Sequence, residues 1–382
     1  MRKITNIEDL RLMAKKRVPK MFYEYVDSGA WTESTYKSNE QDFKKIQFRQ
    51  KVATDISNRS VKTEMIGQSV SMPTGLAPTG LTGMQRADGE ILAARAAEKF
   101  GVPFTLSTLS ICSIEDVAEN STAPFWFQLY VMKDQEFSKS LINRAKSAGC
   151  NALMLTLDLQ IMGQRHKDIK NDLSAPPNLK SASSLINMAL KPSWCYEMLK
   201  TKRHSFRNVV GHVKGVSDVS SLSSWVSEAF DLTFSWDDIA RIKDWWGGKL
   251  ILKGILDEED AIFAIKTGAD AIIVSNHGGR QLDETCSSIS MLSSICNIVG
   301  EKTEVWIDGG IRSGQDILKS VALGAKSTLI GRPFLYGLGA FGELGVLKCL
   351  ELMQRELDIS MALCGCQNID EVTSKIIKTA DF

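Results

Sequence analysis

A (β/α)₈ TIM barrel, with an N-terminal helical extension and a long insertion after its fourth strand, is the fold this sequence predicts. Three observations carry the prediction. Short apolar runs recur along the chain, helix-like stretches separate most of them, and each run is followed by polar residues at its C-terminal end. Continuous apolar strands alternating with helices imply parallel pairing with both faces covered. The C-terminal ends of such strands are where this fold builds its active sites.

The eight expected strands are 72–77, 103–106, 125–129, 152–157, 250–252, 271–274, 304–307 and 328–330. Each is too short for a helix, and several are rich in β-branched residues. Helix-like stretches lie at 90–99, 136–147, 258–267 and 315–322, some closed by a stop such as Gly268-Ala269 or Gly324-Ala325. Eight such units suit a closed barrel better than an open doubly wound sheet. Its expected extent is 72–360, within a single domain whose residues 1–70 form the extension. In strand order, the far ends carry Pro78-Thr79, Ser107-Thr108, Gln128 with Tyr130, Thr156 with Asp158, Lys253, Ser275 with His277, Asp308, and Gly331-Arg332.

A chain of 382 residues that is 43% hydrophobic can bury a large core, and a net charge of +1 offers no general attraction for nucleic acid. No run of about 18 apolar residues appears, so no membrane-spanning helix is expected. The charged opening, MRKITNIEDLRLMAKKRVPK, lacks the apolar centre of a signal peptide and predicts a cytoplasmic protein. Eight cysteines are scattered, and the one close pair, Cys364 and Cys366, is not C-x-x-C; reduced, mostly buried thiols are expected. Four histidines without metal-ligand spacing predict no metal site.

The sixth expected strand delivers Ser275-Asn276-His277-Gly278-Gly279-Arg280-Gln281-Leu282-Asp283. A neutral imidazole accepts a proton near pH 7, and a guanidinium holds a carboxylate through two parallel hydrogen bonds. Together they suit chemistry at a hydroxyl or α-carbon beside a carboxylate; either residue alone would read as a polar, capped loop. Asp308-Gly309-Gly310-Ile311-Arg312-Ser313-Gly314 and Gly331-Arg332-Pro333 follow strands seven and eight, where barrels often bind phosphate. The pair favours a phosphorylated cofactor. No G-x-G-x-x-G follows the first strand, so nothing supports a Rossmann nicotinamide site.

The insertion, 171–235, breaks the rhythm with no expected strand. From Lys180 to Lys214 it holds seven Lys/Arg against one acidic residue, Glu197, interleaved with apolar side chains. Two readings stand equally: an interfacial segment on an anionic membrane surface, with Trp194, Tyr196 and neighbouring leucines and methionines entering the interface, or a lid over the site. The segment contains none of the candidate base, arginines or lysine. Its removal is therefore expected to leave the chemistry intact.

These motifs identify a resemblance. Pro19-Lys20-Met21 with Tyr25, Ala77-Pro78-Thr79-Gly80, Phe127-Gln128-Leu129-Tyr130, Thr156-x-Asp158, Gly163-x-Arg165, Lys253-Gly254, SNHGGRQLD, DGGIRSG and IGRP together resemble the FMN-dependent L-2-hydroxy-acid dehydrogenase/oxidase family, over essentially the whole chain. Pro103–Ser107 with Thr108, Trp126-Phe127-Gln128 and the basic insertion are most similar to its bacterial respiratory L-lactate dehydrogenases. The resemblance implies FMN, oxidation of a small L-2-hydroxy acid (lactate to pyruvate), electrons passed to a respiratory quinone, a homotetramer, and a place on the inner face of the cell membrane. His277 would be the base, Asp158 its orienter, and Arg280 and Arg165 the carboxylate clamp. Tyr25 and Tyr130 would bond the substrate, with Gly80 and Leu109 on its side-chain side. Lys253 would sit by flavin N1/O2. Pro78, Thr79, Gly80, Ser107, Gln128, Thr156 and Ser275 would line the flavin, while Asp308, Gly309, Gly310, Arg312, Gly331 and Arg332 hold ribityl and phosphate. Gln160 stands where many members have proline, which predicts a looser loop before Arg165. Gly80 and Leu109 replace the usual alanine and aromatic. An oxidase that makes hydrogen peroxide is the alternative within the family. A non-redox aldolase, with Lys253 as a Schiff-base lysine, is the alternative outside it.

Overall fold

The structure, a computed structural model, describes residues 3–171, 173, 182–210, 212 and 229–379. Eight parallel strands form its centre: β1 (Thr74–Leu76), β2 (Thr105–Ser107), β3 (Trp126–Leu129), β4 (Ala152–Thr156), β5 (Lys249–Ile255), β6 (Ala271–Val274), β7 (Glu304–Ile307) and β8 (Ser327–Ile330). From β2 to β8 each pairs with its neighbour in sequence, β8 pairs with β1, and a bridge between Leu76 and Phe104 completes the ring. Most strand residues are buried, including both faces of β1 to β4, β6 and β8. That is why the strands read as unbroken apolar runs with no alternation.

Inside the barrel, Trp126 and Trp306 stack with ring centroids 5.4 Å apart, packed with Met154, Ile251 and Ile273. The hairpin Thr63–Met65/Gln68–Val70 sets Met65 and Val70 against the same cluster, at the N-terminal mouth. One mouth is therefore packed shut, and the chemistry is left to the other. Helices return the chain from each strand. Asp134, Asp257 and Ser313 cap the starts of Gln135–Ser147, Glu258–Lys266 and Gly314–Ala322 through their side-chain oxygens.

The N-terminal extension contributes helices Ile7–Arg17, Lys20–Val26 and Ser34–Lys45, and strand Ile46–Phe48 pairs antiparallel with Ile377–Thr379 from the far end of the chain. Arg332, at the end of β8, donates to Val26 O, Ser28 O and Gly278 O at 2.7–3.0 Å. The extension is thereby fixed over the C-terminal mouth.

The described part of the insertion is helical, over Ala182–Ala189 and Pro192–Lys200, followed by a strap through residue 210. Lys180 and Lys214, the ends of the basic stretch, lie outside the described residues. Two sequence expectations need correction. Trp194 and Met198 are not free to enter a membrane, because both are only 8% exposed. Trp194 stacks on Phe22 and donates Nε1–H to Met84 O at 2.9 Å. Nor is the positive charge all available: Arg203 and Arg207 both pair with Asp116, and Lys191 donates to Lys16 O. What remains outward combines apolar side chains, with Leu185, Ile186, Leu190, Tyr196 and Leu199 each more than half exposed, and the exposed Lys200 and Lys202.

Candidate active site

A solvent-open cavity lies at the C-terminal mouth. It brings together Tyr25, Pro78, Thr79, Gly80, Ser107, Leu109, Tyr130, Arg165, Lys253, His277, Arg280, Asp308, Gly309, Gly310, Arg312, Gly331 and Arg332. Four residues singled out from the sequence stand behind this wall: Gln128, Thr156, Asp158 and Ser275, reached through the side chains in front of them. Gln128 Oε1 accepts from Ser107 Oγ at 3.0 Å, and Ser275 Oγ accepts from Lys253 Nζ at 2.8 Å.

The centre of the cavity is a coupled pair. His277 Nδ1 lies 2.9 Å from Asp158 Oδ1, which leaves the other ring nitrogen to face the cavity. His277 has φ of 58°, a left-handed conformation unusual for a residue with a Cβ, and its amide is held by Ser275 Oγ at 3.1 Å. The turn it occupies is pinned from below by a reciprocal amide pair: Asn39 and Asn276 exchange Nδ2–H···Oδ1 bonds of 2.8 and 2.9 Å. Gly254, at φ 105°, leaves room for the Asp158 carboxyl, since a Cβ there would stand 2.7 Å from its Cγ. Burial pulls the His277 imidazole below its ordinary value against the opposing charge of Asp158. Burial would raise Asp158, but its coupling and hydrogen bond to His277 and the charge of Lys253 outweigh it and hold the carboxyl below its usual range.

Facing this pair are two guanidiniums. Arg280 lies 4.6 Å over the Tyr25 ring and bonds Tyr25 O, while its buried Nη2 has no partner. Arg165 Nε donates to Arg280 O at 3.3 Å, and Asp168 balances Arg165 at 3.5 Å. Burial and the neighbouring Arg280 charge both push the Arg165 pKa down, so an anion between them would be welcome. Tyr130 closes the same side, its phenol pushed up by burial and by the Asp158 charge.

The opposite side is built for a group with donors and acceptors along one edge. Gln128 Nε2, Thr156 Oγ1 and Asp308 Oδ1 are buried without partners, and unpaired buried polar atoms call for a ligand. Lys253 Nζ stands among them, 2.8 Å from Asp308 Oδ2; burial opposes its charge, but Asp308 and Asp158 together raise its pKa. Gly309 and Gly310, at φ 91° and 86°, carry the backbone past this point without side chains. These residues fit a flavin ring with a phosphate tail. Arg332 fits less simply, since three backbone carbonyls already take its donors. Arg312 Nη2 is likewise engaged, with Glu40 at 2.7 Å.

One expectation changes here. Gln160 does not loosen its loop: its Nε2 donates to Phe234 O at 2.7 Å, tying the segment before Arg165 to the end of the insertion. The sequence also missed contributors. Asn39, Val26 and Leu335 arrive from distant elements with no local signal, whereas the Asp168 partner of Arg165, three residues on, could have been read from i,i+3 spacing.

A family model described as FMN-dependent dehydrogenase matches residues 14–379. Curated L-lactate dehydrogenases of Ectopseudomonas mendocina (strain ymp) and Vibrio parahaemolyticus are 40% and 41% identical to the chain over 97% and 96% of its length, and over equal shares of their own. Among solved structures, the monotopic membrane protein (S)-mandelate dehydrogenase superposes with a TM-score of 0.94 at 37% identity, covering 99% of this chain and all of that one. A mandelate oxidase superposes with a TM-score of 0.85 at 30% identity over 99% of both chains.

Proposed function

We propose a substrate and an electron route for this chain, which belongs to the FMN-dependent dehydrogenase family: it oxidises an L-2-hydroxy acid, L-lactate to pyruvate, and passes the two electrons to a membrane quinone. The observation that carries the reading is the His277–Asp158 pair set against Arg280 and Arg165 in one cavity. The substrate name is supported by the lactate dehydrogenases that match nearly end to end.

Each residue has a part in this reading. Arg280 Nη2 and Arg165 take the substrate carboxylate, which satisfies the unpartnered donor and relieves two adjacent positive charges. Tyr25 and Tyr130 bond the substrate oxygens and exclude water. His277 is poised neutral by burial and accepts a proton from the substrate, while Asp158 holds Nδ1–H and balances the imidazolium that forms. FMN, when bound, supplies the acceptor for the two electrons. Lys253 keeps a positive charge where negative charge develops on that side. Pro78, Thr79, Ser107, Gln128, Thr156 and Ser275 would hold the ring. Asp308, Gly309, Gly310, Arg312, Gly331 and Arg332 would hold the ribityl and phosphate.

The quinone route is supported by the outward apolar helices of the insertion and by a relative described as a monotopic membrane protein. Among the described residues no helix is long and apolar enough to cross a membrane, so attachment would be peripheral. A homotetramer completes the proposal and is read out by sedimentation equilibrium. Anaerobic bleaching of the flavin by L-lactate but not D-lactate, then re-oxidation by a soluble quinone faster than by air, is the expected result. No bleaching by any 2-hydroxy acid would end the substrate reading, and fast re-oxidation by oxygen alone would favour the oxidase.

A further inference from the structure

The strap 201–210 runs from helix Pro192–Lys200 back to the barrel and is fastened to the loops that follow β1 and β2. Thr201 Oγ1 donates to Asp88 Oδ1 at 2.6 Å, and Arg203 pairs with both Asp88 and Asp116. Deepest lies Asn208, with no exposed surface. Its Oδ1 accepts from Ile114 N at 2.9 Å. Its Nδ2 stands 3.0 Å from Ser110 Oγ, 3.3 Å from Ser107 O and 3.4 Å from Thr108 O. From the other side, Arg144 Nη1 donates to Asn208 O at 3.0 Å.

The loop that Asn208 grips is part of the cavity wall. Ser107 and Leu109 line it, and Ser107 Oγ accepts from Leu109 N at 3.2 Å while bonding Gln128. Leu109 O in turn accepts from Leu81 N at 3.2 Å, beside Gly80. A buried carboxamide thus satisfies acceptors on one turn that carries both a flavin-side and a substrate-side residue.

We propose that Asn208 is a positioning residue for the reaction, its carboxamide fixing the turn 107–110 so that Ser107 and Leu109 hold their places against cofactor and substrate. The proposal rests on the functional reading above and adds a role for the insertion that is neither lid nor membrane anchor. Replacing donors with a carboxylate of equal size sets oxygen against oxygen at Ser107 and Thr108, and the turn must move. On this proposal, excision of 180–214 would remove this grip along with the outward helices, and flavin reduction should weaken where the sequence alone predicts that it survives.

The test uses the full-length holoenzyme with Asn208→Asp and Asn208→Ser. Three quantities are read: FMN dissociation by flavin fluorescence, anaerobic reduction across L-2-hydroxy acids of increasing side-chain length, and co-sedimentation with anionic vesicles. The expected result is FMN affinity weakened on the order of tenfold, as loss of one or two buried hydrogen bonds implies. The side-chain preference should be re-ranked and vesicle binding unchanged. Folded variants with wild-type FMN affinity and wild-type substrate ranking would overturn the proposal. If neither variant folds, Ser110→Ala removes one partner from the other side and should shift FMN affinity and ranking in the same direction; no shift would overturn it. Failure of the wild type to bleach with any 2-hydroxy acid would end the functional reading instead, and the FMN-affinity measurement would still decide the role of Asn208.

Discussion

The C-terminal rim of the barrel and the inserted segment face solvent on neighbouring parts of the molecule, yet they are organised by opposite rules. On the rim, Asp158, His277 and Asp308 sit one to three residues beyond their strands and Lys253 lies within β5, and each of these strands has its register fixed by its two neighbours. His277, Asp158, Lys253 and Asp308 converge because β4 to β7 converge. In the insertion, position is set by single long-range contacts: Trp194 to Met84, Thr201 to Asp88, Asn208 to the turn after β2. Sheet register makes a site from strands; isolated buried polar contacts make an attachment from a loop.

The strongest way to break this contrast is at the rim. His277→Gln should keep FMN yet slow its anaerobic reduction by about 10²–10⁴, the usual contribution of a positioned base; wild-type bleaching would remove His277 from the reaction. In the unaltered enzyme, reduction should be lost as pH falls and His277 protonates. Burial lowers its pKa, so the midpoint should lie below the ordinary value of about 6.5. A stopped-flow profile with its acid limb above that value would contradict the assigned environment.

On the insertion side the largest effect should come from Trp194→Ala. It empties a buried site and leaves Met84 O without its donor, at a cost of about 3–5 kcal/mol in chemical denaturation. A loss under about 1 kcal/mol would mean the helix is not anchored there. Gly80→Ala returns to the rim with a smaller change. The added methyl would stand 3.2 Å from Tyr25 Oη and 3.3 Å from Leu109 O, shifting preference towards shorter hydroxy acids by about 1–3 kcal/mol. An unchanged profile from lactate to 2-hydroxyoctanoate would place Gly80 away from the substrate. The smallest expected effect on chemistry belongs to Leu185→Ser/Ile186→Ser/Leu199→Ser, which should abolish vesicle co-sedimentation while flavin reduction stays within about twofold, since exposed substitutions are usually near neutral. Retained vesicle binding would move the membrane contact elsewhere.

This contrast also explains what could be read from the sequence. The strands 271–274 and 304–307 appear in the structure with the limits expected of them, because a four-residue apolar run between turns admits few alternatives. The residues beyond them were legible for the same reason, and the cavity gathers most of those singled out. The helices Ala182–Ala189 and Pro192–Lys200 were not legible. Their composition mixes basic, aromatic and aliphatic residues, which suits a surface segment, and only the docked fold shows that Trp194 faces inward. Asn208 carried no signal at all: one asparagine in a polar stretch cannot announce a turn about a hundred residues earlier. Arg332 was legible as a cation beyond the eighth strand, but two of its carbonyl partners, Val26 and Ser28, belong to an extension with no periodic link to the barrel.

Those partners bear on how the chain is made. Arg332 bonds Val26 O and Ser28 O across 306 and 304 residues, Arg17 reaches Ala340 O, and β1 finds its second neighbour only in β8. A ribosome adding about 5–20 residues per second needs about 15–60 s to supply them. Through that interval the apolar sides of the first helices, with Leu10, Met21 and Phe22 now buried, have no barrel to cover them. A nascent chain stopped before residue 327 should stay open to protease at its N-terminal helices, and become resistant once β8 and Arg332 emerge. A segment made before the barrel finds its place only after it, and in the meantime depends on whatever shields it.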